Sequence, residues 1–238
     1  MPGQSGDGDL AMLTPVVHHE WNLSPTSAIA LQKELASMVR GAALPKQPVL
    51  IAGADCAFCS GGGEIIAGWV VWDAIHRRVV EEVVAVVQTT FPYVPGLLSF
   101  REAPALLTAA TKLTTQPDVL MFDGQGRAHP RRFGIACHVG VLLDFPSIGC
   151  AKSRLCGEHK EPPKRNGSHV PLVDGREKIG RVLRTRARLK PVFVSVGHKI
   201  TIDEGVKVVM RCCTKYRLPE PTRLAHQLVT REKLNHAP

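Results

Sequence analysis

The hydrophobic pattern of the chain predicts one helix followed by three strands. Apolar residues recur at helical spacing from Ala28 to Val39, behind Ser24 and Pro25, which form a typical helix start. A helix is therefore predicted from residue 24 to about residue 40. Apolar segments over residues 48–58, 65–74 and 79–90 predict three strands. The breaks between these strands are short, which indicates antiparallel hairpins.

Beyond residue 100 the pattern changes to helices that alternate with strands. It predicts helices over 101–115, 133–143, 202–213 and from about 221, and strands over 118–123, 146–151, 179–185 and 191–196. The polar stretch 157–176 is expected to be a mobile loop, and residues 1–22 a flexible leader. This order predicts an α/β fold, in which three antiparallel strands and then parallel strands form one mixed sheet with helices on both faces. We expect a single domain over residues 23–232 and a short tail over 233–238.

Composition indicates a folded protein with a polyanionic partner. Of the 238 residues 44% are hydrophobic and 21% are charged, and the net charge of +9 favours a phosphate-rich partner. A solvated basic surface explains the charge equally well. No apolar run is long enough to cross a bilayer, and the first residues do not resemble a signal peptide, so no membrane partner is expected. We interpret the seven cysteines as reduced thiols and expect a cytoplasmic protein, with nuclear access in a eukaryote.

Two aspartates lie at the ends of hydrophobic strands. Asp55 shares a strand face with Ile51 and Gly53, and Asp123 ends the strand predicted over 118–123. Ligand sites of open α/β sheets lie beyond this edge, and two carboxylates at one place repel unless a cation or a shared proton separates them. Because Mg²⁺ prefers oxygen ligands, the pair predicts a magnesium site suited to phosphodiester hydrolysis. Taken alone, either aspartate is more often the start of a turn.

Four segments of the chain resemble motifs of the endonuclease V family, in the family's order. They are TFPYVPGLLSFRE at 90–102, FDGQG at 122–126 with HPR at 129–131, GCAKS at 149–153 and PEPTRLAH at 219–226. Several long motifs in register are far more specific than one short pattern. The resemblance extends over about residues 23–232 and implies a ribonuclease H-like fold.

The resemblance also implies an activity. Such enzymes recognise hypoxanthine, the base of inosine, and cut the second phosphodiester on its 3′ side, which leaves a 3′-hydroxyl and a 5′-phosphate. The implied cofactor is Mg²⁺, with Mn²⁺ as a substitute, and the implied partner is inosine-containing DNA, single-stranded RNA or both. The resemblance assigns the metal to Asp55, Asp123 and Glu102, and it adds Lys152 and His226 to the catalytic residues. We expect a monomer.

The segment after the third strand is expected to bind the base. Pro92 and Pro95 stiffen the backbone around Tyr93, which suits insertion of the ring into a base stack. Gly96 permits close approach to a flat base, where a backbone donor aimed at the purine oxygen would favour inosine. With the resemblance, the expected substrate-binding residues are Phe91, Pro92, Tyr93, Val94, Pro95, Gly96 and Leu98, with His129 and Arg131 on backbone phosphates.

Other interpretations of the sequence stay open. The chain could be a ribonuclease H-like nuclease for mismatched or branched DNA, or a protein that binds modified nucleic acid without cutting it. Glu102 could simply interact with a helix dipole, Lys152 could be solvated, and His226 could be structural. The choice between DNA and RNA depends on contacts to the 2′-hydroxyl, which the sequence does not locate.

Overall fold

The computed structural model describes residues 13–59 and 63–236, and one eight-stranded sheet forms its centre. The strands are β1 (Leu50–Phe58), β2 (Glu64–Asp73), β3 (Arg78–Gln88), β4 (Val119–Phe122), β5 (Ser147–Ala151), β6 (His169–Asp174), β7 (Glu177–Leu183) and β8 (Val192–His198). The helices are α1 (Pro25–Ala36), α2 (Leu98–Ala110), α3 (Ile135–Leu142), α4 (Ile202–Cys212) and α5 (Glu220–Asn235). The strand order across the sheet is β3-β2-β1-β4-β5-β8-β7-β6.

The sheet is mixed, as the sequence predicts. Strands β1, β2 and β3 pair antiparallel, whereas β4 pairs parallel with both β1 and β5. The pairs β5–β8, β8–β7 and β7–β6 are again antiparallel, so the expectation of parallel strands holds only for β1, β4 and β5. The reason lies in the connections: neither the link from β6 to β7 nor that from β7 to β8 contains a crossover helix, which parallel neighbours require.

Helices cover both faces of the sheet, which confirms that prediction. On one face α2 and α3 pack on Trp69, Leu120 and Phe122, and Trp69 Nε1 donates a hydrogen bond to the carbonyl of Leu106 at 2.9 Å. On the other face α4 packs on Ile51 and Met121, and α5 packs on β2. No helix in the described part of the chain is long and apolar enough to cross a membrane.

One strand was not predicted from the sequence, and some predicted boundaries differ from those of the structure. Strand β6 lies inside the stretch 157–176 that was expected to be a mobile loop. It is an edge strand that pairs with β7, so it tolerates Pro171, and the proline together with the charged residues hides its strand pattern. Helix α2 begins at Leu98 rather than at residue 101, because the turn at Gly96 ends the preceding loop earlier than the apolar spacing suggests.

The described part of the expected leader packs on the domain. Leu13 is buried, and the backbone N–H groups of Val16 and Val17 donate to the carbonyl of Leu142 at 2.8 and 3.1 Å. The ring of Trp21 stacks on His138 of α3, with centroids 5.4 Å apart. Residues 13–22 thus contact the domain, the flexibility expected of the leader stays a prediction, and residues 1–12 lie outside the described residues.

Candidate active site

A cavity of about 440 Å³ opens beside the ends of β1, β4 and β5. Asp55 reaches it from β1, Asp123 from the residue after β4, and Lys152 from the residue after β5. Glu102 reaches the same cavity from the second turn of α2. The structure thus brings together four of the five predicted catalytic residues on one wall, which we call the acidic wall.

The two aspartates are neighbours because their strands run parallel and adjacent. Ala54 pairs with Phe122 in the register of β1 and β4, and the backbone N–H of Asp123 points at the carbonyl of Ala54 at 3.4 Å. Asp55 and Asp123 are the residues that directly follow this pair, so their carboxylates lie side by side. Burial and the nearby charge of Asp123 raise the pKa of Asp55, against the hydrogen bond from His226, which lowers it.

Glu102 adds a third acid to the acidic wall. Burial raises its pKa to about 8, with further contributions from the charges of Asp55 and Asp123 and an opposing one from Arg101. Three neighbouring carboxyl groups create a place where positive charge is stabilised. A divalent cation, a lysine or a proton can supply that charge.

Two basic side chains contact these acids. The ammonium group of Lys152 lies 2.5 Å from Oδ2 of Asp123, and Nδ1 of His226 donates to Oδ2 of Asp55 at 2.7 Å. His226 arrives from α5, the predicted last helix, and more than half of its side chain is exposed. All five predicted catalytic residues are therefore at the acidic wall or in contact with it.

The metal assignment fits in part. Among the described residues, no set of three or more His, Cys, Asp or Glu side chains is arranged to hold a metal ion by itself. The expected shell of Asp55, Asp123 and Glu102 is thus not preassembled. The adjacent pair Asp55 and Asp123 still fits Mg²⁺, because this ion keeps several waters and commonly takes one or two carboxylates plus phosphate oxygens.

The opposite wall of the cavity is formed by the loop before α2, residues 93–98, and by the start of α3. Val94, Pro95, Gly96 and Leu98 line it, as predicted for substrate-binding residues. Tyr93 stands at this wall with 68% of its surface exposed, next to the exposed Pro92. Phe91 is different: it is buried and stacks on Phe100 with centroids 5.7 Å apart. It anchors the loop in the core, and its contact with substrate stays a prediction.

Arg131 and His129 hold this loop in place. Nη2 of Arg131 donates to the carbonyl of Gly96 at 2.7 Å, and the backbone N–H of Arg131 donates to Nδ1 of His129 at 3.1 Å. His129 is buried, and burial together with the Arg131 charge lowers its pKa to about 4. Both side chains therefore make hydrogen bonds inside the protein, and their expected contacts with backbone phosphates stay a prediction.

Gly96 has the backbone conformation that this arrangement requires. Its φ of +80° lies in the left-handed region, and a Cβ there would come within 2.6 Å of Nη2 of Arg131. Gln32 of α1 also donates to the Gly96 carbonyl, at 3.1 Å. The loop is thus fixed from two sides before any ligand arrives.

Several cavity residues were missed from the sequence. Ser99, Gln125 and Arg154 line the cavity, and Gln32 supports it from behind. Gln32 could have been identified from the sequence, because it is a polar residue on the apolar side of α1. In the structure it is completely buried there. Ser99 and Gln125 lie inside the quoted motifs, but nothing in their spacing marks them as cavity residues.

Comparison with known proteins identifies the family. The sequence model of the family described as Endonuclease V matches residues 33–227. This chain belongs to the endonuclease V family. An Endonuclease V of Trichormus variabilis is 48% identical over 213 residues, which cover 89% of this chain and 96% of that protein. The resemblance found in the sequence motifs is confirmed, and endonuclease V proteins are nuclease hydrolases.

Solved structures of endonuclease V agree with the fold. The crystal structure of an Endonuclease V from Streptomyces avermitilis superimposes with a TM-score of 0.87 at 40% identity, covering 93% of this chain and 98% of that chain. The predicted ribonuclease H-like fold is thereby confirmed. Endonuclease V of Ciona intestinalis, in complex with a 24mer DNA containing an inosine followed by a ribo-adenosine, has a TM-score of 0.78 at 25% identity, covering 88% of this chain and 98% of that chain.

Proposed function

We propose that this endonuclease V cuts a nucleic-acid strand at the second phosphodiester on the 3′ side of a hypoxanthine nucleotide. The observation that carries the proposal is the cavity itself, in which the adjacent carboxylates of Asp55 and Asp123 face a fixed loop with an exposed aromatic ring. The complex of the Ciona intestinalis protein with inosine-containing DNA supports the choice of base.

The base binds at the wall formed by residues 93–98. Tyr93 projects from between Pro92 and Pro95, so its ring can enter a base stack at little entropic cost and replace the stacking of an extruded purine. The extruded purine enters the cavity between Gly96 and the start of α3 at Ile135. A volume of about 440 Å³ accommodates a purine nucleoside.

The acidic wall then meets the phosphate downstream of the base. Asp55 and Asp123 would hold Mg²⁺, or Mn²⁺ as a substitute, and the ion would supply positive charge for the phosphate and for activation of the attacking water. Lys152 leaves Asp123 to stabilise the charge that grows on the phosphate oxygens, and His226 orients the attacking water from its exposed position. The P–O3′ bond breaks, which gives a 3′-hydroxyl and a 5′-phosphate.

The proposed substrates are DNA and single-stranded RNA that contain inosine. The net charge of +9 supports phosphate binding in either polymer. We propose a monomer that acts in the cytoplasm.

One cleavage experiment tests this proposal. DNA and RNA strands with a single inosine, and matched strands with adenine, a mismatch or a flap, are incubated with Mg²⁺ or with EDTA. We expect one cut near inosine that requires the metal. Asp123→Asn should abolish cleavage and retain binding, because one negative charge is removed from the acidic wall, whereas the exposed Asp203→Asn is the matched control and should cut normally.

The alternatives give other results. Equal cutting of mismatched or flap strands without inosine would identify a nuclease with a different target. Tight binding with no product under any metal condition would identify a protein that binds modified nucleic acid without cutting.

A further inference from the structure

A chain of three buried or half-buried side chains leads from the N-terminal segment to the cavity. Nε2 of His19 lies 2.8 Å from Nε2 of His138 in α3. Nδ1 of His138 lies 3.0 Å from Oγ of Ser99 in α2, and Ser99 lines the cavity. His138 is fully buried, so water does not supply alternative partners for its ring nitrogens, and Ser99 is 3% exposed.

The direction of every hydrogen bond in this chain follows from its first member. Nδ1 of His19 lies 2.8 Å from the backbone carbonyl of Glu20, which can only accept, so this nitrogen carries the hydrogen. In a neutral His19 the other nitrogen is then an acceptor. His138 must donate from Nε2, which leaves its Nδ1 without a hydrogen. The hydroxyl of Ser99 therefore donates to His138.

Burial keeps both imidazoles in the neutral form that this assignment requires. Desolvation lowers the pKa of His19 and lowers that of His138 far more, with the neighbouring His19 contributing to the shift of His138. With its hydrogen committed to His138, Ser99 Oγ has only lone pairs left for other partners. Ser99 is thus held as a hydrogen-bond acceptor at the cavity.

The other obvious acceptor near this part of the cavity is already occupied. The carbonyl of Gly96 accepts from Gln32 at 3.1 Å and from Arg131 at 2.7 Å, which uses both of its lone pairs. Of these two acceptors, only Ser99 remains for an N–H group of a ligand that faces the start of α2.

We propose that Ser99 is a specificity residue, which accepts a hydrogen bond from the N1–H group of a 6-oxopurine, and that His19 and His138 are positioning residues which keep its hydroxyl in the accepting orientation. This inference rests on the proposed function. Hypoxanthine carries a hydrogen on N1, whereas adenine and unsubstituted purine present a bare nitrogen there. Two facing acceptors repel, so the fixed hydroxyl favours the deaminated base.

The test compares two substrates that differ at this edge of the base. Single-stranded DNA with one hypoxanthine, or with one unsubstituted purine in its place, is cut in the presence of Mg²⁺, and kcat/KM is measured for both. Ser99→Ala should lower kcat/KM for hypoxanthine about tenfold and leave that for purine unchanged or raised. Ser147→Ala is the matched control, since Ser147 is another fully buried serine, whose hydroxyl donates to the carbonyl of Ala136 at 2.8 Å.

A second variant tests the positioning residues without touching the cavity. His19→Phe keeps a ring beside Trp21, where the centroids are 4.2 Å apart, but it frees His138 to adopt either tautomer. In His19→Phe the ratio of kcat/KM for hypoxanthine to kcat/KM for purine should fall about threefold. In the double variant with Ser99→Ala the ratio should fall no further than it does in Ser99→Ala alone.

Distinct results separate the failures. The wild-type protein must first cut hypoxanthine strands. If Ser99→Ala then lowers kcat/KM equally for both substrates, or changes it for neither, Ser99 only anchors α2 and the inference is overturned. An unchanged ratio in His19→Phe would overturn the positioning role of the histidines. If the wild-type protein cuts no hypoxanthine strand, the proposed function fails, and this inference fails with it.

Discussion

His226 donates to Asp55 across 2.7 Å because a glycine lets α5 lie directly on β1. At Gly53 an added Cβ would come within 2.1 Å of the backbone carbon of Pro221, in the first turn of α5. The contact between helix and strand leaves no space for even a methyl group. The position of the histidine at the acidic wall is thus determined by a residue that takes no part in the chemistry.

Gly53→Ala should therefore damage activity and stability together. The methyl group forces α5 away from β1, which moves His226 off Asp55 and should lower the free energy of unfolding by about 2 kcal/mol. Urea unfolding and the cleavage rate measure the two effects. Gly41→Ala is the control, since the nearest atom to its added Cβ is 3.9 Å away, and equal behaviour of the two variants would contradict the argument.

Lys152→Met should have opposite effects on metal binding and on cleavage. The ammonium group contacts Asp123 at 2.5 Å and competes there with a cation, so its removal should tighten Mg²⁺ binding to the free protein by about tenfold. The cleavage rate should fall by about a hundredfold, because a charge that stabilises the phosphate is lost. Calorimetry with Mg²⁺ alone gives the first quantity, and weaker metal binding in the variant would refute the competition.

Tyr93→Ala should reduce substrate binding without affecting the fold. The side chain is 68% exposed, so the free energy of unfolding should change by less than about 0.5 kcal/mol. Binding of a duplex with one inosine should weaken at least tenfold, because the ring no longer replaces lost stacking. The other tyrosine of the chain provides the comparison: Tyr216→Ala should leave duplex binding unchanged.

Acid should destabilise the protein through His129. Its folded-state pKa of about 4 lies below the ordinary value of 6.5, so the unfolded chain binds more protons between these pH values. Stability contributed by the neutral side chain is complete above pH 6.5 and is lost as the pH falls towards 4, by about 3 kcal/mol at most. His129→Asn keeps an acceptor for the Arg131 N–H group, and its stability should fall less steeply over this range. A parallel pH dependence would exclude His129 as the cause.

The central strands of the sheet could be predicted from the sequence, whereas the edge strand β6 could not. Strands β1 and β4 are uninterrupted apolar segments, because both of their faces are buried, so their aspartates could be placed from the pattern alone. Strand β6 escaped detection because an edge strand needs few apolar residues and accommodates Pro171.

The same limit applies to the site. Asp55 and Asp123 are predictable because strand ends converge, whereas the roles of Phe91, His129 and Arg131 depend on which side chains fill the space behind the loop. Ser99 acts, in the proposal above, through a histidine 39 residues away, and no local pattern reports a contact of that kind.

Because residues 13–22 contact α3 through Val16, Val17 and Trp21, the smallest fragment expected to discriminate between bases has to include them. The family match begins at residue 33, one position after Gln32 and well after His19. A fragment trimmed to that match would retain Asp55, Glu102 and Asp123. It would lack Gln32, one of the two side chains that donate to the Gly96 carbonyl, and His19, which begins the hydrogen-bond chain. If Ser99 acts as proposed, this fragment would lose its preference for hypoxanthine although it kept its acids, because His19 lies upstream of the family match.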